Sequence, residues 1–496
     1  MDNKKAIVIG AGIGGITTSL FLAKHGYDVS VYEKNDAPGG RCGQLNHEGH
    51  RFDLGATMLL MPGVYREVFS ALGLDFDKLL EVRPLQDLYK LCFDDGKELI
   101  FTTDKSKMEE QHEAIEKGSY RSAETYVSTG YEFYETAHKK LIGRNFYNFL
   151  EFATPGNIIM LLKLKTLTTH QRYILRFFRD PHLQMAYTFQ NIYVGQSPFD
   201  APAFFSMIPA IELVEGSLFP KGGIYSVVEN LYQEAVRSGV QFFFDKEITR
   251  INTNGSRAIS VITDEGEIAA DVFIANADLP YVYQNLLPDK RKGRSFEKKK
   301  YSCSAMVFHW GLDKKYPQLA HHNVFLNDGF RTGLKVIFKE KSADPHPSFY
   351  VHAPARSDPS AAPEGHDTIS VIVGIGHLDE KKEQDWSLYR KITRDAVISR
   401  LKKAGLTDIE DHIKHERCYS PRTWESAYHV TNGSVFGSLS HSIFQMGYFR
   451  PHNKHNKYKN LYFAGGSTHP GNGIPLVLLS AKLTAERVFK DEKTDK

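Results

Sequence analysis

The chain has 496 residues, too many for one simple core, so we expect about two or three domains. Hydrophobic residues make up 41% and charged residues 24%, as in globular proteins, and the net charge of +3 gives no general case for nucleic acid. The four cysteines are scattered without a CxxC pair, which argues against a disulfide framework and fits a reducing compartment.

We expect no targeting or membrane-spanning segment. The chain passes from Met-Asp-Asn-Lys-Lys straight into an apolar strand, which leaves no room for a secretory signal. The most apolar stretches, such as residues 158–164, are interrupted by lysine and are too short to cross a bilayer. These features predict a cytoplasmic protein.

Residues 6–33 predict a strand, a glycine-rich turn, a helix and a second strand. Gly10, Gly12 and Gly15 stand in G-x-G-x-x-G spacing, and the second strand ends in Glu33. This order suits a dinucleotide: Gly10 makes the turn, Gly12 admits a pyrophosphate, and Gly15 lets the helix pack on the strand. The helix N-terminus attracts phosphate, and Glu33 can accept hydrogen bonds from ribose hydroxyls. The candidate contacts here are Gly10, Gly12, Ile13, Gly14, Gly15, Glu33 and Lys34.

The glycine spacing alone is a weak signal, and its alternative is an ordinary α/β turn with an acidic strand end. The complete order of elements makes the dinucleotide interpretation far more specific. An acid at the strand end disfavours a 2′-phosphate, so FAD or NAD is favoured over NADP.

A second glycine-rich loop follows at residues 38–43 and carries Arg41, and the chain then returns through a glycine turn at residues 52–57. Arg41 is expected to contact phosphate; the alternative is a surface arginine in a flexible loop. This pair of motifs resembles the FAD-binding start of the flavin amine oxidase and carotenoid desaturase superfamily. The resemblance favours FAD over NAD and implies contacts from Gly40, Arg41, Ala56 and Thr57.

Residues 64–215 read mainly as helices and are dense in aromatic side chains, with basic residues between them. Such a mixture is found where a protein surface dips into a lipid headgroup layer. The alternative is a well-packed helical domain with solvated lysines. A basic run at residues 290–300 is either a solvated face or a further contact with anionic lipid.

Residues 219–278 predict a second block of the nucleotide-binding domain. A Phe-Pro-Lys-Gly-Gly turn precedes a helix at 224–238 and strands at 240–244, 247–251, 258–263 and 268–275. We expect Ile248 to lie beside the adenosine half of the cofactor, and Asn276 with Asp278 to close the return crossing. Further strands at 303–311, 324–327, 349–354 and 368–374 and a helix at 386–405 predict the sheet of a second domain.

The C-terminus repeats the order of strand, glycine-rich turn and helix at residues 460–489. Its helix N-terminus and backbone N–H groups are expected to meet the pyrimidine end of a flavin ring, which gains negative charge on reduction. The candidate contacts are Gly465, Gly466, Gly473, Ile474 and Pro475.

Four stretches spread over the chain are similar to those of bacterial carotenoid desaturases of the phytoene desaturase type. They are Phe219–Gly223, Tyr350–Pro354, Tyr448–Asn453 and Thr468–Lys482. The resemblance implies FAD, an elongated apolar tunnel, peripheral membrane binding and dehydrogenation of a polyene. It implies an α/β fold: a Rossmann-type FAD-binding domain from residues 1–75, 216–285 and 456–496, and an α+β substrate domain with a helical membrane-associating region from residues 76–215 and 286–455.

Two positions depart from the family pattern, since many phytoene desaturases have proline at Ala56 and a small residue at Leu476. A reshaped cavity favours a 1′-hydroxycarotenoid 3,4-desaturase, acting on a substrate such as 1′-hydroxy-γ-carotene. The alternatives are a phytoene desaturase proper, a carotenoid isomerase or saturase, and a non-catalytic lipid carrier like the guanine-nucleotide dissociation inhibitors. The carrier is disfavoured because that class does not bind flavin, whereas this chain keeps Glu33, Arg41 and the 465–475 loop together.

Desaturation requires hydride transfer to flavin N5 and loss of a proton from the neighbouring carbon. His469 is the candidate proton acceptor or ring-orienting group, and its alternative is a hydrogen bond that stabilises the loop. Glu212 and Glu215 are weaker candidates. The His321–His322 pair and residues 450–455 lack useful ligand spacing, so no metal is expected, and the oligomeric state stays open.

Overall fold

The structure, a computed structural model, describes residues 3–288 and 290–494. Residues 1, 2, 289, 495 and 496, which the predicted domain ranges include, lie outside the described residues.

Strands and helices alternate through most of the described chain. The strands are β1 (Lys5–Ile9), β2 (Asp28–Tyr32), β3 (Gln44–His47), β4 (His50–Asp53), β5 (Val82–Leu85), β6 (Asp87–Cys92), β7 (Glu98–Thr102), β8 (Ser217–Pro220), β9 (Gln241–Phe243), β10 (Arg250–Asn254), β11 (Arg257–Thr263), β12 (Gly266–Ala269), β13 (Val272–Ala275), β14 (Ser304–Leu312), β15 (His322–Phe325), β16 (Phe349–His352), β17 (Asp367–Ile375), β18 (Ile413–Tyr419) and β19 (Leu461–Phe463). The α-helices are α1 (Ile13–Lys24), α2 (Pro62–Ala71), α3 (Phe76–Leu79), α4 (Lys105–Ile115), α5 (Ser119–Ala137), α6 (Phe149–Phe152), α7 (Pro155–Lys163), α8 (His170–Ile174), α9 (Pro181–Ala186), α10 (Met207–Glu215), α11 (Tyr225–Arg237), α12 (Leu279–Tyr281), α13 (Lys290–Glu297), α14 (Phe330–Lys335), α15 (Trp386–Lys403), α16 (Pro421–Tyr428) and α17 (Ile474–Thr494).

A parallel sheet gathers strands from three distant parts of the chain. Its order among the described residues is β19–β13–β1–β2–β9, and each neighbouring pair is parallel. Ala6 and Val8 face a core that includes residues of α1, α11 and α17, whereas Ile7 and Ile9 face a core that includes residues of β10 and β11. Because successive side chains of a strand point to opposite faces, burial on both faces requires the unbroken apolar run of β1.

A second, mostly antiparallel sheet has the order β18–β14–β17–β16–β15–β6–β7 among the described residues. The strands predicted at 303–311, 324–327, 349–354 and 368–374 are confirmed as β14 to β17. The prediction of mainly helical structure over residues 64–215 is wrong for residues 82–102, which form β5, β6 and β7. The pairings of β6 with β15 and of β5 with β8 join residues far apart in sequence, so local periodicity does not show them.

Two other predicted strands are corrected. Residues 268–275 divide into β12, which pairs antiparallel with β11, and β13, which pairs parallel with β1, because the chain crosses between sheets there. The strand expected at 247–251 begins at Arg250, which leaves Ile248 in the preceding loop. The C-terminal helix, expected from Leu476 to Phe489, begins two residues earlier, at Ile474.

Helices α4 to α10 lie between residues 105 and 215, beside the predicted tunnel. Among the described helices, none combines the length and the apolar character that a bilayer crossing needs. The basic run at 290–300 includes α13, whose Phe296 packs on Tyr283 with ring centroids 5.2 Å apart. Both rings belong to a core under the parallel sheet.

Candidate functional site

A cavity of about 720 Å³ runs from the glycine-rich turn after β1 into the region between the two sheets. All of the cofactor contacts proposed from the sequence line it, except Gly15. These residues are Gly10, Gly12, Ile13, Gly14, Glu33, Lys34, Gly40, Arg41, Ala56, Thr57, Ile248, Asn276, Gly465, Gly466, Gly473, Ile474 and Pro475. The three glycine-rich segments therefore meet at one cavity.

The turn after β1 is too tight for side chains. A Cβ atom added at Gly15 would lie 2.1 Å from the carbonyl oxygen of Gly10, which explains why this glycine matters without lining the cavity. A Cβ at Gly14 would lie 2.5 Å from Oδ1 of Asn276, whose Nδ2 donates to the Gly10 carbonyl at 3.2 Å. Helix α1 has no side-chain cap at Gly12, so its first N–H groups are left for a ligand.

Glu33 is held at the end of β2 by its neighbours. Its Oε2 accepts the backbone N–H of Ala11 at 2.8 Å, and its Oε1 accepts both N–H groups from Asn35, backbone at 2.9 Å and side chain at 2.8 Å. The carboxylate is only 6% exposed, yet Glu33 lines the cavity. A carboxylate has about four lone-pair positions, so acceptor capacity remains for a ribose.

Arg41 joins the N-terminal and C-terminal glycine loops. Its Nη1 donates to the carbonyl of Val435 at 2.7 Å, and a Cβ built on Gly466 would lie 3.4 Å from its Nη2. The guanidinium is thus fixed at the cavity wall and is not the surface arginine of the alternative interpretation.

The motif after Arg41 also fixes the second nucleotide-binding block. Asp53 accepts the backbone N–H groups of Ile224 at 2.9 Å and Tyr225 at 3.1 Å, at the start of α11. Burial raises the pKa of this carboxyl to about 6, against the lowering effect of those two hydrogen bonds. The residues at 52–57 and at 222–225 are thereby held together.

A buried arginine supports the C-terminal loop. Arg450 is fully buried and donates hydrogen bonds to carbonyl oxygens on both sides of the loop. The acceptors belong to Gly437, Leu439, Gln445, Gly466 and Thr468. Such a fork of donors fixes the path of a loop that carries no regular hydrogen-bond ladder of its own.

His469 does not line the cavity. Its Nε2 lies 3.0 Å from the carbonyl oxygen of Arg144, and burial lowers its pKa to about 4. This contact favours the loop-stabilising interpretation over the catalytic one. Glu212 and Glu215 also lie outside the cavity lining, and burial raises the pKa of Glu212 to about 8.

Among the polar cavity residues that were not sequence-based candidates, two stand near Leu476. His441 and Asn472 both line the cavity near Leu476. His441 Nδ1 lies 3.3 Å from the carbonyl of Val194, and Asn472 Nδ2 donates to the carbonyl of Tyr193 at 3.2 Å. Their other atoms, Nε2 of His441 and Oδ1 of Asn472, have no hydrogen-bond partner among the described residues. His441 stands in no recognisable spacing, whereas Asn472 lies inside the 465–475 loop that was predicted to meet the flavin ring, although it was not named as a contact.

The cavity fits FAD as its residues stand. The free N–H groups of the first turn of α1 and the glycines beside them can bind a pyrophosphate, and Glu33 can accept hydrogen bonds from a ribose. The N–H groups of the 465–475 loop suit the pyrimidine edge of a flavin ring, which gains negative charge on reduction. Beyond these residues the wall becomes apolar, with side chains such as Phe189, Ile192, Phe205 and Ile211. An extended apolar ligand can therefore lie against the cofactor.

Known proteins support this assignment. The family of flavin containing amine oxidoreductases matches residues 13–489, so the chain belongs to that family. The enzyme is an FAD-dependent oxidoreductase acting on CH–CH groups, and within the family it groups with the phytoene-desaturase type, as its motifs predict.

Two relatives and one solved structure illustrate the similarity. The phytoene desaturase of Fusarium fujikuroi is 37% identical over 98% of this chain and 90% of its own length. The 4,4′-diapophytoene desaturase of Staphylococcus aureus is 34% identical over 98% of this chain and 99% of its own length. Putrescine oxidase shares the fold, with a TM-score of 0.64 and 12% identity over 98% of this chain and 99% of its own.

Proposed function

We propose that the enzyme introduces C=C bonds into an acyclic carotenoid precursor of the phytoene type. The observation that carries this proposal is one continuous cavity, lined by the FAD cradle at one end and by apolar side chains at the other. The names of the relatives favour a phytoene-type substrate over the 1′-hydroxycarotenoid expected from Ala56 and Leu476.

Bound flavin supplies a hydride acceptor. The residues of the chain position the substrate against it and exclude water. The apolar walls hold the polyene and exclude water, which keeps the reacting C–H bond close to the ring for the time the transfer needs. Allylic C–H bonds are activated because the adjacent polyene delocalises the developing positive charge. The remaining requirement is a place for the proton.

We assign His441 as the group that accepts this proton. Its Nδ1 faces a carbonyl oxygen, so Nδ1 carries the ring hydrogen and Nε2 presents a free lone pair at the cavity wall. Burial, with a smaller contribution from Arg450, holds the pKa of His441 well below its usual range. The imidazole is therefore neutral near pH 7, with its Nε2 lone pair available, and it is a weak base. A weak base suffices here, because the proton leaves a carbon next to developing positive charge and is strongly acidic.

A hydroxylated carotenoid is the second candidate substrate. Three buried acceptors of the cavity lining have no hydrogen-bond partner among the described residues, namely His441 Nε2, Asn472 Oδ1 and Gln196 Oε1. His441 Nε2 and Asn472 Oδ1, which lie near Leu476, can accept a hydrogen bond from a substrate hydroxyl. A site that hydrogen-bonds a substrate hydroxyl discriminates strongly against an analogue lacking it.

Replacing His441 with leucine separates these two roles. If His441 accepts the proton, His441→Leu lowers the turnover of every carotenoid by about 100-fold, the usual size of a general-base contribution. If it binds a hydroxyl, the loss is confined to hydroxylated substrates. The measurement is the initial rate on phytoene and on 1′-hydroxy-γ-carotene in liposomes, with His346→Leu, at an exposed position, as the control.

Product analysis tests the reaction itself. The purified flavoprotein is incubated with phytoene, lycopene or 1′-hydroxy-γ-carotene in liposomes, and the products are separated by chromatography. Desaturation lengthens the conjugated system and shifts absorbance to the red, saturation shifts it to the blue, and isomerisation leaves the mass unchanged. Conversion of phytoene with loss of hydrogen is the expected result; conversion of the hydroxylated substrate alone would reverse our order of preference.

We also propose that one face of the helical region contacts an anionic membrane. Several large apolar side chains are exposed in two neighbouring segments, and Phe152 links them, with ring centroids 6.3 Å from Phe149 and 5.7 Å from Phe449. The exposed members are Tyr147, Phe149, Leu150, Ile158, Ile159, Leu162, Leu167, Leu175, Ile443, Phe444 and Phe449. Exposed lysines and arginines stand among them at Lys163, Lys165, Arg172 and Arg176.

The cavity reaches this same face. Phe152, Leu161, Leu164 and Phe449 line the cavity, and Phe449 is also 43% exposed. A water-insoluble polyene can pass from the lipid into such an opening without crossing solvent. Continuity between the apolar face and the cavity therefore supports a membrane as the occupant.

The double variant Leu150→Asp, Leu162→Asp tests the membrane face. Each leucine is more than half exposed, at 79% and 58%, so the changes should leave the fold intact. Flotation with vesicles containing anionic lipid should fall by about tenfold per site, as apolar contact is replaced by charge. Leu388→Asp, at a 48% exposed leucine of α15, is the matched control. Equal flotation of all three proteins would overturn this proposal.

A further inference from the structure

A cluster of three histidines lies outside the machinery described above. His322 and His352 stand directly opposite each other in the pairing of β15 with β16, and His321 immediately precedes β15. One ring nitrogen from each residue can be chosen so that all three lie within 4.8 Å of one another. Sequence spacing showed only the His321–His322 pair, because His352 reaches it through strand pairing.

The three side chains are buried, with exposures of 7% for His321 and 1% for each of the other two. Their hydrogen bonding is incomplete. The Nε2 atoms of His321 and His352 lie 3.2 Å apart, and His322 Nδ1 lies 2.6 Å from the hydroxyl of Tyr350. The remaining atoms, His321 Nδ1, His322 Nε2 and His352 Nδ1, have no hydrogen-bond partner among the described residues.

A purely hydrogen-bonded cluster explains this arrangement poorly. Buried polar atoms without partners are rare, and each costs about 1–3 kcal/mol. A bound cation would give the unpartnered Nε2 of His322 a partner and would replace the contact between the Nε2 atoms of His321 and His352. Two nitrogens on a tetrahedral zinc ion, with bonds of about 2.0–2.1 Å, are separated by roughly 3.3 Å. The distance between the Nε2 atoms of His321 and His352 is already close to this value.

The surroundings of His322 match those of a metal ligand. Metal-binding histidines usually donate the second ring N–H to an oxygen atom, which fixes the tautomer. Here His322 Nδ1 faces the Tyr350 hydroxyl, which leaves the unpartnered Nε2 as the ligating atom. The Tyr350 hydroxyl also lies 2.7 Å from Oγ1 of Thr57, and both residues line the cavity.

Nearby charge does not oppose a cation strongly. Arg356 is close enough to affect the pKa of His321, but its guanidinium is paired with buried Asp367 at 2.6 Å.

We propose that His321, His322 and His352 form a binding site for a divalent transition-metal ion of the zinc type. Three imidazoles and one open position are a common zinc ligand set. The ion stands behind the cavity wall, where it fixes Tyr350 and, through it, Thr57. Its role is therefore to hold the wall beside the predicted flavin contact at Thr57.

Zinc content of the full-length flavoprotein tests the site. The protein is stripped with a chelator, incubated with ZnCl₂, dialysed and analysed for zinc and flavin together. We expect about one zinc per chain in the wild type and a loss to background in His322→Ala and His352→Ala. Tyr350→Phe removes only the hydroxyl that orients His322, and should weaken zinc binding by about tenfold.

His309→Ala is the matched control. His309 is a fully buried histidine of the same sheet, its Nε2 is also unpartnered, and it does not belong to the cluster. It should retain zinc. Absence of bound zinc in the wild type, or equal zinc in the wild type and in His322→Ala, would overturn the proposal; the tenfold effect of Tyr350→Phe is measured as zinc affinity by competition with a chelator. Because desaturation needs flavin and not this ion, either result leaves the proposed function untouched.

Discussion

Gly12→Val is expected to give a folded protein that purifies without flavin. A Cβ at Gly12 would lie 2.9 Å from Nδ2 of Asn276, and the two methyl groups of valine would extend into the space where the pyrophosphate approaches the first turn of α1. A loss of affinity of at least about 100-fold is expected, which corresponds to about 3 kcal/mol. The measurement is the flavin-to-protein absorbance ratio after purification, with and without added FAD.

Gly63→Val is the control for this substitution. Gly63 lies in the first turn of α2, and nothing stands within 4 Å of a Cβ added there. This variant should keep its flavin and lose at most about 1 kcal/mol of stability. Stoichiometric flavin in Gly12→Val would show that the pyrophosphate lies elsewhere.

Arg450→Ala is expected to have the largest effect on stability. The substitution removes donors from five buried carbonyl groups and leaves a cavity at the centre of the C-terminal loop. Unpartnered buried acceptors and lost packing together should cost about 4 kcal/mol or more, a large fraction of the stability of a typical domain. The expected outcome is a strongly lowered thermal midpoint and little or no retained flavin.

Arg83→Ala provides the comparison for Arg450. The Arg83 side chain is 57% exposed and pairs with Glu81 at 3.1 Å, so its loss should change stability by at most about 1 kcal/mol. Arg450→Lys should rescue little, because an ammonium cannot reproduce the planar fork of a guanidinium. An Arg450→Ala protein with normal flavin content and thermal midpoint would contradict the supporting role of this residue.

Much of the fold could be predicted from the sequence because the parallel sheet has strong local signals. The strand at 6–9 is apolar throughout, its turn is rich in glycine, and its partner strand ends in an acid. The failure at residues 82–102 has two parts. The pairing of β6 with β15 is more than two hundred residues remote and has no local signal. The pairing of β6 with β7 is a local hairpin across Asp94-Asp95-Gly96, a turn signal that the helical interpretation of residues 64–215 overlooked.

The meeting of the three glycine-rich segments at one cavity was similarly predictable, since each part has a steric or electrostatic requirement that restricts the residue type; the cofactor contacts themselves stay a prediction. Gly15 tolerates no Cβ, and Glu33 must accept hydrogen bonds. The apolar part of the cavity imposes no such requirement, so His441 escaped notice; Asn472 lies in the predicted 465–475 loop but has no pattern that marks it as a contact. His352 escaped for another reason, because only the register of β15 with β16 brings it to His322.

Leu476 keeps the cavity position expected for it, next to the C-terminal glycine loop. Its side chain approaches the position that a Cβ on Gly471 would take, at 3.5 Å, on the same side as His441. The residue that departs from the family pattern and the unpartnered imidazole thus share one region of the wall. Substrate choice is therefore expected to depend on this region rather than on the turn after β1.

The most direct test is a single turnover without oxygen. Purified flavoprotein is mixed anaerobically with phytoene in liposomes, and the ultraviolet and visible spectra are followed over time. We predict that the oxidised-flavin absorbance bleaches while the absorbance of a longer polyene grows, in about equal amounts, because each double bond delivers one hydride to the flavin. A flavin that stays oxidised with phytoene and with each of the other carotenoids would contradict the assignment of this enzyme as a carotenoid desaturase.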